Sequence, residues 1–187
     1  MDTKLQIIEI STPLFQQKGY KGVGVTEIIK ACNISKGSFY HHFPNGKEEL
    51  LIACLKSIDE AITTHMVDIF KRYPTTQEAT QAMIDILVND LEREGRIVVS
   101  TFTSIVSEMG SLSEPVREAC SDLYLKMQTI YCTKLAEDGF SKENANSIAL
   151  MMIASIEGAI MLCLTQKSSH PLKIISHELP KILNHRS

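Results

Sequence analysis

Apolar residues recur every three or four positions along almost the whole chain, and no run shows the alternation of a half-buried strand flanked by turn residues. That periodicity predicts an all-α fold. A first helix is expected over residues 4–18, stopping at Gly19, with Ile7, Ile8, Leu14 and Phe15 on or near one apolar face. Pro13 inside it cannot donate to the carbonyl of Glu9 and predicts a kink. Two short helices follow, at 25–32 and 36–43, joined by Asn33, Ile34 and Ser35, with Ser35 as the N-cap of the second. Two short helices with a three-residue connection form the outline of a helix-turn-helix.

Pro44, Asn45 and Gly46 then break the chain, and a long helix is expected over 47–73. Thr75-x-x-Glu78 reads as a capping box for the next helix, which runs to about Gly95. Ser113-Glu-Pro opens another that ends near Gly139, Ser141 opens one reaching about Gln166, and Pro171 begins a last one to about Asn184. A short helix is expected between breaks at 95–102 and 110–112.

With 187 residues, 44% apolar and 22% charged, the chain has the makings of one globular domain or two small ones. The longest apolar run, 148–164, is interrupted by Ser155, Glu157 and Gly158, short of the roughly 20 apolar residues of a membrane span. No signal-peptide pattern opens the chain, and no membrane partner is expected. Cys32, Cys54, Cys120, Cys132 and Cys163 are odd in number with no C-x-x-C spacing, which fits reduced thiols and a cytoplasmic protein. Net charge is −3, unevenly distributed: residues 1–47 carry six lysines against Asp2, Glu9 and Glu27, so +3 there leaves −6 for the rest. The basic end is the one suited to phosphates.

The stretch Val25-Thr-Glu-Ile-Ile-Lys-Ala-Cys-Asn-Ile-Ser-Lys-Gly-Ser-Phe-Tyr-His-His-Phe-Pro-Asn-Gly-Lys-Glu-Glu-Leu50 carries the function. Ile28, Ile29, Ile34, Phe39 and Phe43 can lock the short helices in place. Thr26, Lys36, Gly37, Ser38, Tyr40, His41 and His42 are then left as polar, reaching or close-approach positions. A helix entering the major groove needs donors for base edges and phosphates and a slim stretch, which Gly37 and Ser38 provide. Adjacent His41 and His42 point about 100° apart on a helix and are poorly placed to share a metal ion.

This segment closely resembles the DNA-binding signature of TetR-family transcriptional regulators, over residues 4–55. The resemblance implies phosphate contacts from Tyr40 and His42, base contacts from Lys36, Gly37, Ser38 and His41, and a phosphate contact from Lys47 at the start of the fourth helix. It also implies a DNA-binding domain at 1–47 and a ligand-binding and dimerisation domain at 48–187. Three departures stand out: Gly24 in place of a Ser or Thr cap, Pro13 in the first helix, and Gly46 as an added residue. The F-P-N-G-K-E-E-L form is similar to the subgroup of flavonoid- and drug-responsive repressors.

About 110 residues follow Tyr73, more than DNA binding requires. Met83, Met109, Met127, Phe102 and Tyr124 would make a soft lining for apolar ligands, although each taken singly is also an ordinary core residue. Glu157, amid apolar neighbours, needs a partner: it could orient a ligand or bond across the dimer, and a solvated glutamate is the alternative. The last two helices carry apolar stripes at Ile148, Met152, Ile156 and Ala159 and at Ile175, Leu179 and Ile182, and the resemblance implies a four-helix dimer interface there, with Ala145, Ala149, Ser155 and Gly158 allowing close approach.

The expected function is therefore a dimeric repressor on palindromic operator DNA, released by a small apolar or aromatic inducer through the long fourth helix, with no cofactor. No metal spacing, nucleophile elbow, glycine-rich phosphate loop or H-E-x-x-H points to an enzyme. A thiol switch through Cys120 and Cys132, and activation instead of repression, remain open alternatives.

Overall fold

A computed structural model describes residues 2–95, 103–108, 110 and 112–183, and among these it holds helices and no strand. The helices are α1 (Thr3–Lys18), α2 (Val25–Cys32), α3 (Lys36–His42), α4 (Lys47–Arg72), α5 (Thr76–Glu94), α6 (Thr103–Val106), α7 (Glu114–Glu137), α8 (Lys142–Gln166) and α9 (His170–Leu183). The all-α expectation is met, and capping chemistry explains most of the boundaries. Asp2, Ser35, Thr75 and Ser141 each accept a backbone N–H of the first turn of α1, α3, α5 and α8. Gly19, Gly95 and Gly139, at φ +70, +65 and +93, follow the ends of α1, α5 and α7, where a left-handed residue spares the last carbonyls.

The chain forms two compact units, 1–61 with 100–123 and 62–99 with 124–187. The first is larger than the 1–47 division expected from the sequence, because it also takes in the first half of α4, the short α6 and the start of α7. Its centre is Ile7, Phe15, Val23, Ile28, Phe39 and Phe43, all without exposed surface. Pro13 does not end α1. It lies on the exposed side together with Glu9, whose orphaned carbonyl water can satisfy, so one lost bond is tolerated.

In the second unit, α9 packs on both α5 and α8. The fully buried Tyr131 of α7 meets Phe70 of α4 edge-on, ring centres 5.0 Å apart, an arrangement favoured by the ring quadrupoles. Asp138, just beyond α7, accepts the N–H of Thr76 at 2.8 Å and so ties the start of α5 to the end of α7. By length and mean hydropathy (2.1 over 18 residues) α8 is apolar enough to cross a membrane, despite Ser155, Glu157 and Gly158. Its two sides differ, however. Ala145, Ala149, Met152, Ile153, Ile156, Ala159, Ile160 and Cys163 are buried, whereas Leu150, Met151, Ala154, Met161 and Leu162 are open.

Candidate DNA interface and ligand domain

The helix-turn-helix turn is built as its residues dictate. Asn33 adopts the left-handed conformation (φ 53, ψ 47), one that asparagine tolerates better than most side chains, and Ile34 N–H reaches back to Ile29 O at 3.2 Å. Ser35 Oγ then accepts Ser38 N–H at 3.0 Å and starts α3. Phe39 and Phe43, ring centres 5.9 Å apart, anchor that helix in the core. Along α3, Lys36, Gly37, Tyr40 and His41 are exposed and Ser38 and His42 half-buried; Thr26 is exposed on α2. All the α3 positions expected to meet DNA therefore keep some exposed surface.

Gly37 has an ordinary negative φ, and a Cβ added there would meet only Ser35 Oγ, at 3.8 Å. The fold does not require glycine at this position, and glycine inside a helix costs about 1 kcal/mol relative to alanine. Gly22 is the opposite case: a Cβ there would lie 2.2 Å from the carbonyl oxygen of Lys18, so the turn between α1 and α2 closes only around glycine. Gly46, at φ +77, supplies the left-handed residue before α4, and Asn45 N–H donates to Glu49 Oε2 at 2.9 Å.

Lys47 is placed differently from the expectation. It is half-buried, and its Nζ donates to the carbonyls of Tyr20 (2.8 Å) and Val23 (2.9 Å) while lying 3.9 Å from the centre of the Tyr20 ring. Burial pushes its ammonium pKa down, with Glu108 opposing. Nothing in the sequence signalled this inward turn.

Of the residues expected to face a ligand, Tyr124 and Glu157 come together, Tyr124 hydroxyl to Glu157 Oε2 at 3.5 Å, the outer limit of a hydrogen bond. Met83 is half-buried with its sulfur 4.0 Å from the Tyr131 hydroxyl, and Met127 is buried one turn before Tyr131 on α7. Burial raises the Glu157 carboxyl to about 7, with the Tyr124 hydroxyl opposing, so near neutrality it is a mixture of acid and carboxylate. Phe102 and Met109 lie outside the described residues. Two open depressions of the same unit involve other side chains: one of about 440 Å³ along Val67, Phe70, Ile130 and Lys134, and one of about 700 Å³ along Leu91, Glu92, Cys163 and Lys167.

The residues expected to form a dimer interface differ in burial. Met152, Ile156 and Ala159 of α8 and Leu179 of α9 are buried within their own protomer, Ile148 and Ile175 are half-buried, and the side chain of Ile182 lies outside the described residues. The open face of α8 is instead Leu150 (58% exposed), Met151, Ala154, Gly158, Met161 and Leu162 (51%), spaced by three and four. At its two ends, the Ser147 and Thr165 hydroxyls donate to the helix's own carbonyls. A Cβ on Gly158 would meet nothing within 4 Å. The close-approach residues divide likewise: Ala145 and Ala149 are buried, Ser155 half-buried, and Gly158 exposed.

Comparison with known proteins agrees with both parts of the chain. Residues 7–54 match the family model for bacterial regulatory proteins of the tetR family, and residues 76–178 match that for the C-terminal domain of LmrA/YxaF-like transcriptional regulators. Over 182 residues the chain is 35% identical to the HTH-type transcriptional regulator LmrA of Bacillus subtilis, covering 97% of each chain. It is 31% identical to the regulator YxaF of the same organism, covering 97% of this chain and 95% of that one. Among solved structures, Escherichia coli NemR in its reduced form superposes with a TM-score of 0.86 at 23% identity, over 96% of this chain and 95% of that one. A TetR regulator from Legionella pneumophila superposes at 0.83, also at 23% identity, over 97% of each chain. With the helix-turn-helix presented at α2 and α3 and the helical unit that follows, the chain belongs to the TetR family of transcriptional regulators, with a C-terminal domain of the LmrA/YxaF-like type.

Proposed function

We propose that the chain is a ligand-responsive repressor that works in the cytoplasm as a homodimer and binds a near-palindromic operator with one α3 in each half-site. The observation that carries the reading is the pairing of two unfilled faces, a polar one on α3 around Gly37 and an apolar one on α8 around Gly158. A polar, slim face suits a groove lined with phosphates and base edges, whereas an apolar stripe of this kind suits a second copy of the same helix. Half-sites should lie about 34–36 Å apart or a multiple of that.

Release is proposed to follow a population shift, in which a small apolar or aromatic ligand favours a spacing of the two reading heads that misses the operator. The subgroup of flavonoid- and drug-responsive repressors is the setting we favour, with Met83, Met127, Tyr124 and Glu157 as the ligand-facing residues. The thiol alternative is disfavoured, because burial raises all five cysteines, Cys54 to about 12 and Cys120 to about 11, away from the reactive thiolate. The test is retardation of a duplex from the chain's own promoter, with and without a flavonoid or a lipophilic cation. Failure to retard it at low salt sinks the reading of the site; a ligand that binds yet leaves affinity unchanged sinks the release mechanism for that ligand.

A further inference from the structure

We infer that Lys47 is a positioning residue for DNA recognition, a strut that holds the turn between α1 and α2, and not a phosphate contact; this rests on the DNA-binding reading of α2 and α3. Residues 19–24 decide where α2 begins and hence where α3 is presented. The segment is short and closes around Gly22 against the Lys18 carbonyl. Val23 within it is wholly buried, and a buried carbonyl requires a donor. Lys47 Nζ provides that donor at 2.9 Å and a second bond to Tyr20 O at 2.8 Å.

The Tyr20 ring closes over the ammonium at 3.9 Å and itself stacks on Phe15 at 6.4 Å, so the cation is bracketed by groups that attract it. Glu108 reinforces the same turn, accepting Lys21 N–H at 3.0 Å and adding a favourable charge for Lys47. The neighbouring Glu48 accepts the Ser113 hydroxyl at 2.7 Å, so the first turn of α4 is tied on a second side. To reach a phosphate, Lys47 would abandon two carbonyls, one of them on a buried residue, for a single pair weakened by salt. Two charge-assisted hydrogen bonds with a ring contact outweigh that.

The two roles leave different marks on salt dependence. Each phosphate neutralised contributes about 0.9 to the slope of log affinity against log salt, whereas a strut contributes nothing to it. Affinity for a duplex from the chain's own promoter would be measured from about 50 to 300 mM salt for the wild type, Lys47→Met and Lys47→Arg. Lys47→Met is expected to lower affinity roughly tenfold at every salt concentration, with the slope unchanged and the melting temperature without DNA reduced. Lys47→Arg keeps the charge but replaces a compact ammonium by a planar fork, so it should weaken binding in the same way. A slope that falls by about 0.9 in Lys47→Met, or full affinity in Lys47→Arg, overturns the inference. If Lys47→Met does not fold, Lys47→Arg alone decides. A wild-type chain that fails to retard the duplex removes the DNA-binding reading itself, an outcome distinct from either.

Discussion

The recognition helix α3 and the penultimate helix α8 are built on one plan with opposite chemistry. Each turns an apolar side into its own unit, Phe39 and Phe43 from the α3 segment and Met152, Ile156 and Ala159 from α8, and each leaves an outer face with a glycine that its own packing does not need. The outer face of α3 is Lys36, Tyr40 and His41; that of α8 is Leu150, Met161 and Leu162. One helix thus leaves polar atoms uncovered and the other hydrocarbon, which is the difference on which the proposed partners, a nucleic acid for α3 and a second copy for α8, rest.

The sharpest way to break the comparison is to place one charge on each side of α8. Met152→Asp buries a carboxylate among apolar groups and should cost 4 kcal/mol or more, roughly the limit of what a domain survives, seen as loss of cooperative melting. Met161→Asp, on the open side, should keep the helical circular dichroism while converting dimer to monomer in sedimentation. A dimer that survives Met161→Asp would refute the assignment of that face.

Next in size is the half-buried acid of the same helix. Glu157 has its folded pKa raised from the ordinary 4.5 to about 7, so the folded state holds a proton that the unfolded state has released between those values. Stability should therefore be fully present below about pH 4.5 and decline as pH rises through 7, by an amount of order 2–3 kcal/mol. Glu157→Gln should flatten that decline in melting temperature between pH 5 and 8. An identical slope in the variant would show that another group is responsible.

The glycines sharpen the same contrast. Gly22→Ala should destabilise by about 1–3 kcal/mol, because the added carbon meets a backbone oxygen that cannot step aside. Gly37→Ala should stabilise by up to about 1 kcal/mol in thermal melts while weakening operator binding, the signature of a position left small for a partner. Equal operator affinity in Gly37→Ala would mean that no groove comes close to it. The smallest effect expected is that of Gly24→Ser. It restores a side-chain cap at an unstrained φ of −94 with open space around it, and should add only a few tenths of a kcal/mol to stability.

Much of this architecture was readable in the chain because its causes are local. Ser35, Thr75 and Ser141 start helices and Gly19, Gly95 and Gly139 follow their ends through bonds within a few residues, so spacing alone reveals them. The helix-turn-helix was legible for the same reason, Asn33 and Ser35 shaping its turn. Tyr124 with Glu157 was half legible: an acid among apolar neighbours demanded a partner, but 33 positions separate the pair.

Two matters were decided only in three dimensions. Which side of α8 is interior could not be told from periodicity, since both sides are apolar and a stripe is visible only against a polar background. The direction of Lys47 was likewise hidden: its carbonyl partners lie 27 and 24 residues upstream in a turn whose shape depends on Gly22 packing against Lys18. Sequence determined where helices begin and end, through bonds between near neighbours. Tertiary structure determined which way long side chains point, because a flexible stem takes its direction from the unsatisfied groups that folding brings beside it.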